Sequence, residues 1–266
     1  MAERNGGVGG HGGGVVEARR HPVLRRFAGV VVAALAVLAV LVVAFVISAK
    51  TTFAAELEPV QEVAADSAVD VRWSYDQVVL TPSAGGSTTG LMFIPGAKVD
   101  PLAYIYKLAP LAEAGVTVVI PRPLLNFAIL DARPLEAFTS AAPGVDTWFV
   151  GGHSLGGVKA CQYASGGGVA GLVLFGSYCA GDESSLDVPV LSLWGSNDGL
   201  STPTDIEASR AQLPAGTEFV ELEGATHAQF GDYGLQPGDG DTTTTDPEVR
   251  AAIAAALVPF VTEGGG

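Results

Sequence analysis

The hydrophobic positions of this chain fall into three regimes. Phe27 to Ser48 is apolar or small at all 22 positions and carries no charge. A helix of that length crosses a bilayer. Residues 50–70 set Glu56, Glu58, Glu62, Asp66 and Asp70 among alanines and predict a short acidic stalk. From Val71 onward, brief apolar runs of strand length alternate with mixed stretches of helical character. Trp73–Leu80 predicts an edge strand bounded by Thr81-Pro82-Ser83, and Leu91–Ile94 a second strand closed by Pro95-Gly96. Asp100-Pro101 sets a capping residue before a proline at the first helical position, so a helix is expected from there to about Glu113, ahead of Gly115. Val116–Ile120 is nearly all apolar, the pattern of a central parallel strand covered on both faces.

Pro121 and Pro123 then open a loop, and Arg133–Thr139 predicts a helix. Asp146–Val150, Ala170–Phe175 and Val188–Trp194 have the composition of buried strands. Gly157–Ala164 is helical up to the stop at Gly166-Gly167-Gly168. Asp205–Leu213 predicts a helix, Glu218–Leu222 the last strand, and residues 248–262 a closing helix. This alternation implies an α/β fold, a mostly parallel, doubly wound sheet with helices on both faces. The expected organisation is a flexible tail over 1–26, a transmembrane helix over 27–49, the stalk over 50–70 and one folded domain over 71–266.

Charge sharpens that division. A formal net charge of −14 over 266 residues argues against a nucleic-acid partner. The glycine-rich tail holds Arg4, Arg19, Arg20, Arg25 and Arg26 against Glu3 and Glu17, a net +3 that leaves −17 for the rest. Arginines before the apolar run, with only Lys50 immediately after it, orient the tail to the cytoplasm and the domain outside. A cleaved signal peptide would carry an apolar core about half as long behind a shorter leader. A retained anchor, with the lipid bilayer as its partner, is therefore expected. Cys161 and Cys179 are too few for a disulfide framework; two buried thiols are expected, with a bond between the helix after Ser154 and the segment after the neighbouring strand as the open alternative for a domain outside the cell. No cysteine–histidine cluster suggests zinc, and no cofactor is expected. Gly238-Asp239-Gly240-Asp241 lacks the ligand spacing of a calcium loop and is expected as a solvated turn.

The candidate chemistry centres on Gly152-His153-Ser154-Leu155-Gly156, a G-x-S-x-G pattern with a strand before it and a helix after it. A sharp strand-to-helix turn forces the serine into a strained conformation with its hydroxyl exposed, and the flanking glycines make room for the crossing backbones. A serine hydroxyl needs a base, and the base needs an orienting acid. His11 and His21 precede the membrane segment and His153 adjoins the serine, which leaves His227, just after the last strand. The acid is expected at a strand's carboxyl end between serine and histidine. Asp198 fits, with Asp205 and Asp187 as weaker candidates. For an oxyanion hole, the N–H of Leu155 is expected as one donor and that of Ala97 as the other, with Lys98 second; Pro95 has no N–H to give.

The order Ser154, Asp198, His227 on alternating strands and helices resembles the α/β-hydrolase superfamily. Pro95–Pro101, Gly151–Gly157 and His227–Gly231 are similar to a membrane-anchored bacterial branch related to dienelactone-hydrolase-like proteins. The resemblance covers about residues 71–262 and implies a serine hydrolase that cleaves small-molecule carboxylic esters through an acyl-enzyme. Two departures qualify it. Dienelactone hydrolases proper use a cysteine nucleophile where this chain has Ser154, so lactone chemistry is not carried over. Lipase-type sequences usually place His-Gly before the oxyanion donor, where this chain has Pro95-Gly96. Only Gly176–Asp187 separates two core strands, so the site is expected to be open, without a lid. A peptidase or thioesterase on the same triad, or a catalytically silent domain displayed at the membrane, remain the alternatives.

Overall fold

The computed structural model describes residues 1–2, 6–7, 9–10 and 22–264. The expected tail, with His11, His21 and the arginines at 4, 19 and 20, therefore lies largely outside the described residues. Two compact units are present, Met1–Val46 and Ile47–Gly266. Helix α1 covers Pro22–Lys50. Its segment Arg26–Lys50 has a mean hydropathy of 3.4 and is long and apolar enough to be a candidate membrane span.

The second unit is built on an eight-stranded sheet in the order β1-β2-β4-β3-β5-β6-β7-β8. Its strands are β1 (Val69–Trp73), β2 (Gln77–Pro82), β3 (Thr89–Ile94), β4 (Thr117–Pro121), β5 (Thr147–His153), β6 (Gly171–Phe175), β7 (Val190–Gly195) and β8 (Glu218–Leu222). β2 runs antiparallel to both of its neighbours, and every other pair is parallel. The expected single strand over Trp73–Leu80 is in fact a hairpin. Ser74 turns the chain: its N–H donates to Gln77 O at 2.9 Å, and its hydroxyl accepts from the N–H groups of Asp76 and Gln77, both at 3.3 Å. The apolar pattern alone could not mark this break, because residues on both sides of the turn suit a strand.

Period-two alternation sends successive side chains to opposite faces of the sheet. Leu91 and Phe93 pack on one face with helices α3 (Ile105–Glu113) and α7 (Asp246–Gly264), in a core that includes Leu108, Ile253 and Leu257. Met92, Ile94, Val150, Leu172 and Leu174 pack on the other with Ala160, Cys161 and Ala164 of the helix Leu155–Ser165. The Asp100-Pro101 signal is realised: Asp100 accepts from Leu102 N at 3.0 Å, and a 3₁₀ turn over Pro101–Tyr104 leads into α3.

Residues 50–70 do not form a separate stalk. Phe53 donates to Lys98 O at 2.7 Å and accepts from Asp100 N at 3.0 Å, and Asn126 Nδ2 reaches Ala49 O at 2.9 Å. Helix α2 (Leu57–Ala65) buries Val63 in the same core as α3. Acidic residues on its exposed side hid an amphipathic helix that the domain needs for cover. Of the two states left open for the cysteines, the bonded one is present. Cys161 and Cys179 form a disulfide with a Cα–Cα separation of 5.7 Å, tying the Leu155–Ser165 helix to the segment after β6.

Candidate active site

The serine turn is positioned by β5 and the helix Leu155–Ser165, labelled α5 in chain order after α4 (Glu136–Thr139). Ser154 sits between them at φ 53° and ψ −127°, in the positive-φ region that a side chain rarely occupies. Its N–H donates to Phe175 O at 3.1 Å, and its carbonyl accepts from Ser177 Oγ at 2.7 Å. Two glycines make the turn possible. A Cβ on Gly152 would strike the backbone of Gly156, and one on Gly156 would strike the Ile94 carbonyl. The start of α5 is thereby brought against the loop that leaves β3.

That loop holds the expected oxyanion donors. Gly96 donates to Tyr104 Oη at 2.9 Å and Lys98 donates to Asn126 O at 2.8 Å. Lys98 is therefore not available as a donor. The N–H of Ala97 and that of Leu155, the first residue of α5, have no acceptor among the described residues. Tyr104 Oη also lies 2.9 Å from His153 Nδ1. Burial, then the neighbouring His227, hold the His153 imidazole well below the usual histidine range. The ring is buried and points into the domain, against Tyr104 and the ring of His227.

Asp198 and His227 are in direct contact. Asp198 follows β7 and is buried; Oδ2 lies 2.8 Å from His227 Nδ1. Its other oxygen accepts from Leu200 N at 2.8 Å and Ser201 N at 2.7 Å. His227 follows β8, is buried, and its ring lies 4.4 Å from that of His153. No hydrogen bond joins the Ser154 hydroxyl to the His227 ring among the described residues. Such bonds commonly tighten only once substrate is bound. The weaker acid candidates lie elsewhere. Asp205 forms a capping box with Thr202 at the start of α6 (Pro203–Ser209), and Asp187 is exposed.

Two further features were not legible in the sequence. Asp239 is not a solvated turn residue: it is half-buried, and both carboxylate oxygens accept backbone N–H groups. The segment behind His227 is anchored by Asp232, whose Oδ1 accepts from the buried Lys107 Nζ at 2.7 Å. Burial raises the Asp232 carboxyl above the usual carboxylate range, against the pull of Lys107. A lysine on an apolar helix face was the available signal, since a buried ammonium requires a carboxylate partner.

The profile of the alpha/beta hydrolase family matches residues 90–251. Among solved structures, a thermophilic esterase from Thermogutta terrifontis superposes with a TM-score of 0.55 at 13% identity, over 76% of this chain and 97% of that one. An alpha/beta hydrolase from a sediment metagenome of the Mar Chica lagoon has a TM-score of 0.49 at 18% identity, covering 60% and 90%. An alpha-beta serine hydrolase homologue from Coxiella burnetii has 0.48 at 17%, covering 73% and 99%. No curated protein matches the sequence.

Proposed function

This chain belongs to the alpha/beta hydrolase family, and on that premise we propose that it is a serine hydrolase cleaving small-molecule carboxylic esters. The observation that carries the proposal is the 2.8 Å contact between Asp198, after β7, and His227, after β8, on the sheet edge where Ser154 follows β5 at positive φ. Ser154 Oγ attacks the ester carbonyl while His227 Nε2 takes its proton. Asp198 holds Nδ1–H, and so fixes the tautomer in which Nε2 is the base and steadies the imidazolium that forms. The N–H groups of Ala97 and Leu155 receive the oxyanion, and the N-terminus of α5 adds its favourable dipole. His227 then returns the proton to the departing alkoxide, and water repeats the sequence to release the acid.

A fluorophosphonate probe tests this reading. The full chain should take up one equivalent and the Ser154→Ala variant none, with ester turnover falling by about 10³–10⁶ in that variant. Unlabelled wild-type protein would make it a silent domain. Labelled protein that turns over peptides or thioesters in preference to oxygen esters would change the substrate class and keep the nucleophile.

The same proposal places α1 in a membrane with the hydrolase domain outside. Arg25 and Arg26 beside the apolar segment support that orientation. The Cys161–Cys179 disulfide supports it independently, because such bonds persist in oxidising compartments. Protease added to intact spheroplasts should degrade the domain; protection until lysis would reverse the orientation.

A further inference from the structure

Asp239 lies outside the residues assigned to the chemistry, 12 positions beyond His227 and 40 beyond Gly199. Its Oδ1 accepts from Gly199 N at 3.1 Å, His227 N at 3.0 Å and Gly240 N at 2.8 Å. Its Oδ2 accepts from Ala228 N at 2.7 Å. One of these donors belongs to the turn that carries Asp198, and two belong to the loop that carries His227. A single carboxylate therefore joins the acid's loop to the base's loop through their backbones.

The surrounding segment reinforces the same junction. Asn197 Nδ2 donates to Asp241 O at 2.9 Å, and Thr243 N donates to Gly224 O at 3.1 Å. Gly240 approaches Asn197 O so closely that no Cβ would fit. His227 itself begins a 3₁₀ turn over Ala228–Phe230, so its own N–H and that of Ala228 have no partner within the turn. Asp239 fills that gap with charge-assisted bonds, which are stronger than neutral ones. The Asp198–His227 side-chain bond fixes the ring only if both backbones stay in register, and misplacement by about 1 Å costs on the order of 10²-fold in rate.

Resting on the serine-hydrolase reading, we propose that Asp239 is a positioning residue: by clamping the acid turn to the base loop it holds the His227 imidazole in line with Asp198. Asp205 is the control, since its carboxylate also accepts a backbone N–H, that of Thr202 at 3.1 Å, but it caps the start of α6 and has no bond to the His227 loop among the described residues.

The primary measurement is the low-field proton resonance of the His227 Nδ1–H···Asp198 bond in the full chain. It should be sharp in wild type and in Asp205→Ala, and lost to solvent exchange in Asp239→Ala. Its persistence in folded Asp239→Ala, or its absence from wild type, overturns the proposal. Kinetics supply the second readout. Asp239→Ala should lower kcat by about 10–10³-fold with KM changed less than about threefold, and Asp198→Asn combined with it should be no slower than Asp198→Asn alone. Losses that multiply instead would make Asp239 merely structural.

Should Asp239→Ala fail to fold, Asp239→Asn carries the same test. It keeps one acceptor oxygen and turns an NH₂ toward the remaining N–H donor. A weakened resonance and a kcat loss of about 3–30-fold are expected, and wild-type values for both would overturn the clamp. A resonance that depends on Asp239 in a protein that takes up no fluorophosphonate would leave the clamp standing and remove the hydrolase reading.

Discussion

Asp198 and His227 are 29 residues apart in the chain, yet Oδ2 and Nδ1 lie 2.8 Å apart with both side chains buried. The parallel register of β7 and β8 produces this, because each residue follows its strand at the same edge of the sheet. The remaining oxygen of Asp198 is occupied by Leu200 N and Ser201 N, so the carboxylate has one orientation in which to meet the imidazole.

Asp198→Asn preserves this shape but offers an amide where the Nδ1–H needs an acceptor. A fall of about 10⁴ in kcat is expected, the size of the handicap that the same change causes in serine proteases. Asp205→Asn weakens a helix cap and should cost no more than about 1 kcal/mol of stability while leaving turnover near wild type. Steady-state kinetics beside chemical denaturation distinguish the two. A crippled Asp205→Asn with a mild Asp198→Asn would transfer the acid's role.

The backbone of Ser154 exacts a stability cost for its position. At φ 53° a non-glycine residue carries about 1–3 kcal/mol of strain. Ser154→Gly relieves the strain and removes the proposed nucleophile together. The variant should therefore be inactive and, after the entropy that glycine adds to the unfolded chain, about 1 kcal/mol more stable. A variant less stable than Ser154→Ala in a calorimetric scan would contradict this.

Closing an 18-residue separation, the Cys161–Cys179 bond contributes about 3 kcal/mol in the chain-entropy treatment. Denatured without reductant, the protein should titrate no free thiol, and with reductant two. The Cys161→Ala/Cys179→Ala double variant should unfold at a lower denaturant concentration by the corresponding amount. Two titratable thiols in the unreduced chain, purified from its native compartment, would refute the bond.

Acid should loosen the loop that follows β4 through Asp131. Burial alone would raise its carboxyl, but hydrogen bonds from the Arg133 side chain, the Arg133 N–H and the Leu124 N–H outweigh it, and the net direction is below the usual carboxylate range. A carboxyl depressed in the folded state stabilises it above the unfolded value of about 3.9, and that contribution disappears as pH falls through the folded value. Asp131→Asn should accordingly flatten the pH dependence of the unfolding midpoint below about pH 4, with little change in the slope above pH 6. An identical acid limb in the variant would remove Asp131 from the account.

The sequence by itself determined what depends on local chemistry and on period. The alternation of short apolar runs with mixed stretches pointed to a mostly parallel sheet with helices on both faces, since strands covered on both sides read as near-continuous apolar runs. The glycines around Ser154 marked a turn that tolerates no Cβ, and Asp100-Pro101 marked a helix start. Elimination among four histidines pointed to His227, whose ring lies 2.8 Å from the Asp198 carboxylate. Only the tertiary structure decided the rest, because those features depend on groups that meet across the sheet. Residues 50–70 pack as cover for α3, which their charge concealed. Cys161 and Cys179 come within bonding distance only once α5 and the segment after β6 are in place. Asp239 became a clamp because the strand order brings two distant loops to one edge, where their unpaired N–H groups need a single acceptor. A linear pattern records which groups a residue carries; which partners complete them is set by the packing that buries them.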